Sequence, residues 1–338
     1  MPRLKDVADA AGVSYQTVSR VINNHPSVSA PTREKVKSTI AAMGYRRNTA
    51  ARSLVTRRSQ TIGVLASELS QYGPASTVAG VERAARDAGY FVSIAALREI
   101  TRESLLGAVG HFIDQGVDGI ILLARQSDSV VLALQEMTLA VPVVAAGSPG
   151  NSTVQGAAVD QRHGARLAVE HLIERGHRLI AHVSGPPGWA DSDERATGWR
   201  EALRAAGLQD QIIIEGDWSA DSGYNIGLSL EPEDITALFV GNDQMALGVL
   251  RAFSERNIRV PEDISVVGFD DQPEAGYFIP PLTTVRQDFG ELGRRCVETL
   301  LRQMQGVGVD RPSVVIPKLV QRASTGAYPH DCSKSSIW

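Results

Sequence analysis

From Thr61 onward the chain alternates short, strongly apolar runs with amphipathic helical patterns, and that alternation leaves few folds open. Ile62–Ala66, Val92–Ala96, Gly119–Leu123 and Val141–Ala146 predict strands in the first half; Leu179–Ser184, Ile212–Glu215, Ala237–Val240 and Ile264–Gly268 predict a second set. Helical patterns over 77–88, 162–175, 195–206 and 243–256 lie between them. Strands this apolar, joined by helices, need parallel sheets covered on both faces. Two successive sets predict two similar lobes rather than one large sheet. Thr283–Arg286 and Val314–Leu319 are expected to complete the sheets or to cross between lobes, and the tail from Tyr328 to Trp338, without periodicity, is expected to be disordered.

Open parallel sheets gather ligands at the carboxyl ends of their strands. Read there, the second set yields Arg195, Asp217-Trp218, Asn242-Asp243 and Asp270-Asp271. Arg, Asn and Asp bracket vicinal hydroxyls with paired hydrogen bonds, and a Trp face suits the C–H bonds of a sugar ring. Each residue alone has a plainer reading: a helix cap for Asp243 or Asp270, core for Trp218, a surface ion pair for Arg195. Their convergence on one rim favours a polar small-molecule site.

The amino terminus is different in kind. Val7, Ala8, Ala11, Val18 and Val21 are spaced for two short crossed helices, Gly12 permits the turn between them, and Ser14 caps the second. Tyr15, Gln16 and Arg20 are left facing outward, and Gln and Arg carry the forked edges that pair with adenine and guanine in the major groove. A third helix, with Val36, Ile40 and Met43, starts near Pro31 and ends at Gly44. The first 60 residues hold 11 Lys or Arg against three acids, a net +8, while the whole chain is −4, so the remainder carries −12. That asymmetry fits a nucleic-acid-binding head on a body that avoids nucleic acid. Between them, Arg46–Val55 is helix-capable but too short to be stable alone in water, a natural conditional switch or a plain linker.

No stretch of about 18 apolar residues suits a membrane, and the polar start lacks a signal peptide's apolar core. Cys296, at helical spacing from Leu292 and Leu300, reads as a core thiol, and with Cys332 forms no disulfide framework. Together these features point to the bacterial cytoplasm. No metal-ligand, phosphate-loop or Cys-x-x-Cys pattern calls for a cofactor.

The blocks Gly12–Val21, Val28–Val36, Glu215–Ala220, Asn242–Gly248, Asp263–Asp271 and Tyr277–Phe289, the last with Ile-Pro-Pro-Leu-Thr-Thr-Val, resemble the LacI/GalR family of transcription regulators over about Leu4 to Ala323. The resemblance implies an α/β fold: an all-α helix-turn-helix head (1–45), a hinge helix and linker (46–59), and a periplasmic-binding-protein-like body of two lobes (60–327). The first lobe would take about 60–160 plus 288–318, the second about 161–287 plus 319–327. It implies that Tyr15, Gln16 and Arg20 read bases, that Ser14, Thr17, Asn23 and Thr32 hold phosphates, and that Ala51 and Leu54 enter the minor groove. In the body, Arg195, Trp218, Asn242, Asp270, Gln287 and Phe289 fall on sugar-contacting positions, as do Gln71, Gly73, Pro74, Leu123, Gly147 and Asp191.

Several of these depart from the galactoside-responsive branch whose reader set Tyr15-Gln16-Arg20 resembles. Leu123 stands for an Asn, Gly147 for an Asp, Gln71 for a Leu, Thr77 for an Ile and Asp191 for a Ser, so half of the pocket is rebuilt. Arg3 replaces a capping Thr, a loss of about 1 kcal/mol. The expected effector is a galactoside, a related glycoside or a pentose-type sugar. The expected partners are a pseudo-palindromic duplex DNA and a second copy of the chain; no tetramerising heptads precede Trp338. The function expected is a sugar-released repressor, not an enzyme. A transport-type sugar-binding protein would share the body but not the head. A glycoside hydrolase needs facing carboxylates, and adjacent Asp270-Asp271 point to opposite sides of a strand.

Overall fold

The computed structural model describes residues 2–45, 58–98, 101–123, 141–147, 155–209, 212–307 and 313–328. The chain divides into two compact units, 1–59 and 60–338. In the first, α1 (Leu4–Ala11), α2 (Tyr15–Ile22) and α3 (Ala30–Ala42) close over Val7, Ala8, Ala11, Val18, Val21 and Val36. Gly12 takes the left-handed conformation at φ 61°, which ends α1. Ser14 Oγ then accepts from the Thr17 amide at 3.1 Å and starts α2. Arg3 has no acceptor for the cap of α1; instead its own amide donates to Asp6 Oδ2 at 2.6 Å, the reciprocal half of a capping box. Of the expected hinge and linker, 46–59, residues 46–57, with Ala51 and Leu54, lie outside the described residues.

The second unit contains, in chain order, β1 (Thr61–Ser67), α4 (Tyr72–Asp87), β2 (Phe91–Leu97), α5 (Arg102–Asp114), β3 (Gly119–Leu123), β4 (Val143–Ala146), β5 (Gly156–Val159) and α6 (Gln161–Glu174). There follow β6 (Ile180–Ser184), α7 (Ala190–Ala205), β7 (Ile213–Glu215), α8 (Ala220–Ser229), β8 (Ala237–Val240), α9 (Asp243–Glu255), β9 (Ser265–Asp270), β10 (Thr283–Arg286), α10 (Phe289–Met304), β11 (Ser313–Val315) and β12 (Lys318–Val320). The strands form two six-stranded sheets, ordered β11-β5-β4-β3-β1-β2 and β12-β10-β9-β8-β6-β7. All pairings are parallel except that of β12 with β10. Each sheet with its helices is one lobe of the body.

The backbone passes between the sheets three times, at Asp160, at Gln287-Asp288 and at Ile316-Pro317. The run Val314–Leu319 is therefore not one strand. It splits at Pro317, which has no amide proton to offer a ladder, into β11 of the first sheet and β12 of the second. Through the second crossing, α10 returns to the first sheet and packs Leu292, Cys296, Val297 and Leu300 with Ile62, Val64 and Ile121. Burial pushes the Cys296 thiol up to about 12, as a core thiol requires; Cys332 is outside the described residues.

Tyr328 departs from the expected tail: its amide donates to Arg175 O at 2.8 Å and its ring lies 5.6 Å from that of His177. Residues 329–338 lie outside the described residues. Beneath this segment His171 Nε2 accepts from Arg175 Nε at 3.0 Å and pairs with Thr325 Oγ1 at 2.9 Å. Burial, with the charge of Arg175 adding to it, lowers His171 from 6.5 to about 4. The folded state thus holds the neutral imidazole while the unfolded chain takes up a proton below 6.5, so the contribution of His171 is present above 6.5 and lost as pH falls through about 4. His171→Gln keeps an acceptor for Arg175. Relative to this variant, the parent is expected to lose up to about 1.4 kcal/mol of stability per pH unit across that window, read by urea unfolding. Parallel pH profiles for the two proteins would refute it.

Candidate functional site

A cavity of about 160 Å³ opens between the two sheets, at the carboxyl ends of their strands. From the first lobe come Ser67 at the end of β1, Gln71, Tyr72, Gly73, Pro74 and Thr77 at the start of α4, Leu123 at the end of β3, and Ala146 and Gly147 at the end of β4. Val159 ends β5, and Phe289 and Leu292 come from α10. The second lobe contributes Trp189, Asp191 and Arg195 around the start of α7, Trp218 after β7, Asn242 after β8 and Asp270 at the end of β9, with Gln161 and Gln287 from the crossings. All twelve sugar-contact candidates therefore line one cavity. The reading from the sequence missed Gln161, Tyr72 and Trp189.

Four buried side chains form a directional chain across the floor. Arg195 Nε donates to Gln161 Oε1 at 2.8 Å, Gln161 Nε2 to Gln287 Oε1 at 2.8 Å, and Gln287 Nε2 to Asp270 Oδ1 at 2.6 Å. Arg195 Nη2 stands 3.9 Å from that same Asp270 oxygen, and Nη1 donates to Gly241 O at 2.5 Å. The guanidinium also lies over the Phe269 ring at 4.0 Å, which fixes its plane. Burial pushes Asp270 up to about 6, against the pull of the Arg195 charge and the Gln287 hydrogen bond. At neutral pH the cavity thus presents an ionised acceptor beside unused N–H groups of Arg195.

Asn242 caps α9: its Oδ1 accepts from the Met245 amide at 2.8 Å, and Nδ2 donates to Trp218 O at 3.0 Å. One donor and one acceptor position of its amide are left for a ligand. Trp218 is 7% exposed and meets Trp189 edge-to-face at 5.8 Å. Its backbone is left-handed at φ 73°, and that of Asp270 stands at φ 110°. Such conformations cost side-chain-bearing residues about 1–3 kcal/mol and gather at ligand sites. Gly147, at φ 127°, has a backbone reason to be glycine, so an Asp there carries a strain penalty. Thr77 Oγ1 is turned back on its own helix, donating to Gly73 O at 2.8 Å.

The neighbouring carboxylates have other work. Asp271 pairs with Arg286 and Arg322, both at 2.6 Å. Asp243 is fully buried, accepting from the Gln272 amide and Thr284 Oγ1, and burial with the Asp270 charge raises it well above the usual range. Exposed Asp217 makes a turn with Ser219, accepting from its amide at 2.8 Å. Asp217, Asp243 and Asp271 are absent from the cavity lining.

In the head, Tyr15 is 59% exposed and Gln16 and Arg20 are exposed, while Val18 and Val21 on the opposite face of α2 are buried. Ser14 and Asn23 are exposed and Thr17 and Thr32 half-buried at the ends of α2 and α3. Ser14 Oγ lies 2.9 Å from Thr17 Oγ1, and Ser29 Oγ 2.9 Å from Thr32 Oγ1.

A helix-turn-helix head ahead of two mainly parallel sheets, with a cavity between them that has a polar and charged floor, defines a class of ligand-responsive regulators. Comparison with known proteins agrees: residues 3–48 match the bacterial regulatory proteins of the lacI family, and residues 169–325 match the periplasmic binding protein-like domain. The chain belongs to the LacI family of bacterial regulatory proteins. It is 38% identical to the lactose operon repressor of Escherichia coli (strain K12), over 95% of this chain and 90% of that protein. It is also 38% identical to the transcriptional regulator CelR of Thermobifida fusca, over 90% of this chain and 92% of that protein. A solved lac repressor dimer bound to operator and the anti-inducer ONPF superposes with a TM-score of 0.88 at 38% identity, covering 96% of this chain and 99% of that one. A CelR–cellobiose complex superposes at 0.72 and 34% identity, covering 96% and 100%. Among the described residues no helix is long and apolar enough to cross a membrane.

Proposed function

We infer that the protein is a cytoplasmic, homodimeric repressor of a sugar-utilisation operon, released from its operator when a neutral sugar or glycoside enters the cavity between the lobes. The observation that carries this reading is the pairing of the Arg195–Asp270 floor with the exposed Tyr15-Gln16-Arg20 edge in one chain. Arg195, Asn242 and Asp270 bind vicinal hydroxyls, and Trp218 faces the ring. Leu123, Gly147, Gln71 and Asp191 shape the opposite end of the ligand, where the sugar's identity is decided. Tyr15, Gln16 and Arg20 read bases, with Ser14, Thr17, Asn23 and Thr32 on the phosphates. The 46–59 segment, with Ala51 and Leu54 in the minor groove, joins head to body. Sugar favours release by binding the DNA-free state more tightly, and linkage then requires operator to weaken sugar binding by the same factor.

No enzymatic role is proposed: of the carboxylates weighed for hydrolysis only Asp270 lines the cavity, while Asp271 pairs with Arg286 and Arg322 and Asp217 and Asp243 lie outside the lining. The relatives named above are regulators.

Selection of DNA by the full-length protein from a random duplex pool tests the reading. A pseudo-palindrome is expected, and Arg20→Ala is expected to weaken binding by about 1–3 kcal/mol and relax one base pair per half-site. Recovery of no preferred sequence would overturn it, and uniform weakening on all sequences would move Arg20 to a phosphate.

A further inference from the structure

Gln161 and Gln287 are the two cavity residues that lie on the crossings between lobes. Gln161 opens α6, directly after the crossing from β5; Gln287 follows β10, at the return crossing into α10. They lie 126 residues apart in the chain and are joined by one amide–amide hydrogen bond of 2.8 Å, buried at 4% and 6% exposure. The first and third crossings are tied differently, by a backbone bond from the Asp160 amide to Val315 O at 3.0 Å. The tie between the first and second crossings is made by side chains, and these side chains reach the cavity.

The tie has a fixed polarity. Arg195 has only donors and an ionised Asp270 only acceptors. With these groups at its ends, each Gln must receive on its oxygen and give from its nitrogen, toward Asp270. Turning either amide around sets N–H against N–H or oxygen against carboxylate. Bonds in such a chain polarise one another, so a change at one end is felt at the other.

From this arrangement we propose that Gln161 and Gln287 are positioning residues that clasp the first two lobe crossings together, and that the cavity's occupant acts on the lobes by engaging the Asp270 and Arg195 ends of that clasp. The proposal rests on the sugar-site reading above but concerns the lobes themselves, so its test needs neither sugar nor operator. A ligand hydroxyl that claims Asp270 competes with Gln287, and the loss passes through Gln161 to the crossing at Asp160.

The experiment measures the distance distribution between spin labels on the two lobes of the full-length protein. Asp114→Cys at the exposed end of α5 and Glu174→Cys at the exposed end of α6 carry the labels, in a Cys332→Ser background. Cys296 is buried in the core, and labelled chains are diluted with unlabelled ones. Gln161→Met and Gln287→Met keep the volume and remove the bond; each is expected to shift or broaden the distribution by about 2 Å, and the double variant to equal either single one. Gln161→Glu separates the clasp from mere support of Arg195: it keeps an acceptor for Arg195 but has no donor for Gln287, so it is expected to behave like Gln161→Met. Asp270→Asn retains an acceptor for Gln287 and keeps the parent distribution, whereas Asp270→Leu, which removes it, loosens the lobes.

Distributions that superpose on the parent in Gln161→Met and Gln287→Met overturn the clasp. A parent-like distribution in Gln161→Glu alone reduces Gln161 to a support for Arg195 and also overturns it. If instead the lobes loosen as expected while lactose, cellobiose, D-galactose and D-xylose all leave tryptophan fluorescence unchanged, the clasp stands and the sugar reading fails.

Discussion

Asp270→Asn is expected to weaken sugar binding by about a hundredfold or more while leaving operator affinity within about threefold, yielding a repressor that sugar no longer releases. Hydrogen bonds to an ionised acceptor contribute about 1.5–3 kcal/mol each, and a carboxylate accepts from hydroxyls on both oxygens, where an amide accepts only on its one uncharged oxygen and its nitrogen only donates. The Arg195 guanidinium also loses its compensating charge 3.9 Å away. Asp270 and the exposed face of α2 belong to separate compact units, so the substitution leaves the proposed DNA-contacting side chains unchanged. The same argument sets a pH dependence. With Asp270 held up to about 6 by burial, the hydroxyl-accepting form is present above that value and sugar affinity falls as pH drops through it. For folding the sign is reversed: the raised carboxyl binds its proton more tightly than the unfolded chain does, so its penalty on stability grows as pH rises from 3.8 to about 6. Equilibrium titration of sugar into free protein, and operator titration without sugar, read the two affinities. Loss of operator binding with full sugar affinity would remove Asp270 from the site.

Arg195, Trp218, Asn242 and Asp270 were legible because each follows an apolar run, and parallel strands deliver their carboxyl ends to one rim. Gln161 was hidden because its strand was. The segment Gly-Ala-Ala-Val of β5 is short and weakly apolar, and its glycine answers to packing: a Cβ at Gly156 would stand 1.7 Å from Ala145 O. Without that strand, no strand end pointed to Gln161. Trp189 was obscured by the helix pattern over 195–206, whose first turn, polar and alanine-rich, in fact begins at Ala190. The left-handed backbones of Trp218 and Asp270 have no signature in residue type at all. A bulky or β-strand-ending residue at positive φ is imposed by its surroundings. Asp217 and Asp243, adjacent to site residues, illustrate the converse: sequence proximity does not carry them to the lining.

Gly248→Val is expected to destabilise the body by about 4 kcal/mol or more, with the sugar site lost along with it. Helices α8 and α9 cross backbone to backbone: a Cβ at Gly248 would lie 1.9 Å from Ala220 O and 2.5 Å from Tyr224 N, and one at Gly223 only 2.0 Å from Met245 O. No rotamer change relieves a clash with a main chain, so the helices must separate, opening the core around Ile226, Met245, Val249 and Phe253. The functional consequence follows from where these helices start. Trp218 precedes α8 and Asn242 caps α9, and the bond from Asn242 Nδ2 to Trp218 O, 3.0 Å, is the tie between two cavity residues across that crossing. Gly248→Ala is the milder probe, because its single methyl meets the same carbonyl oxygen. It is expected to retain the fold at a lower Tm and to weaken sugar binding in step with the displaced Asn242. The described tryptophans, Trp189, Trp199 and Trp218, all lie in the second lobe, so thermal unfolding followed by tryptophan fluorescence reads this region directly. A Gly248→Val protein that melts with the parent would mean that α8 and α9 can part without cost, and the close crossing would then have no role in holding Trp218 to Asn242.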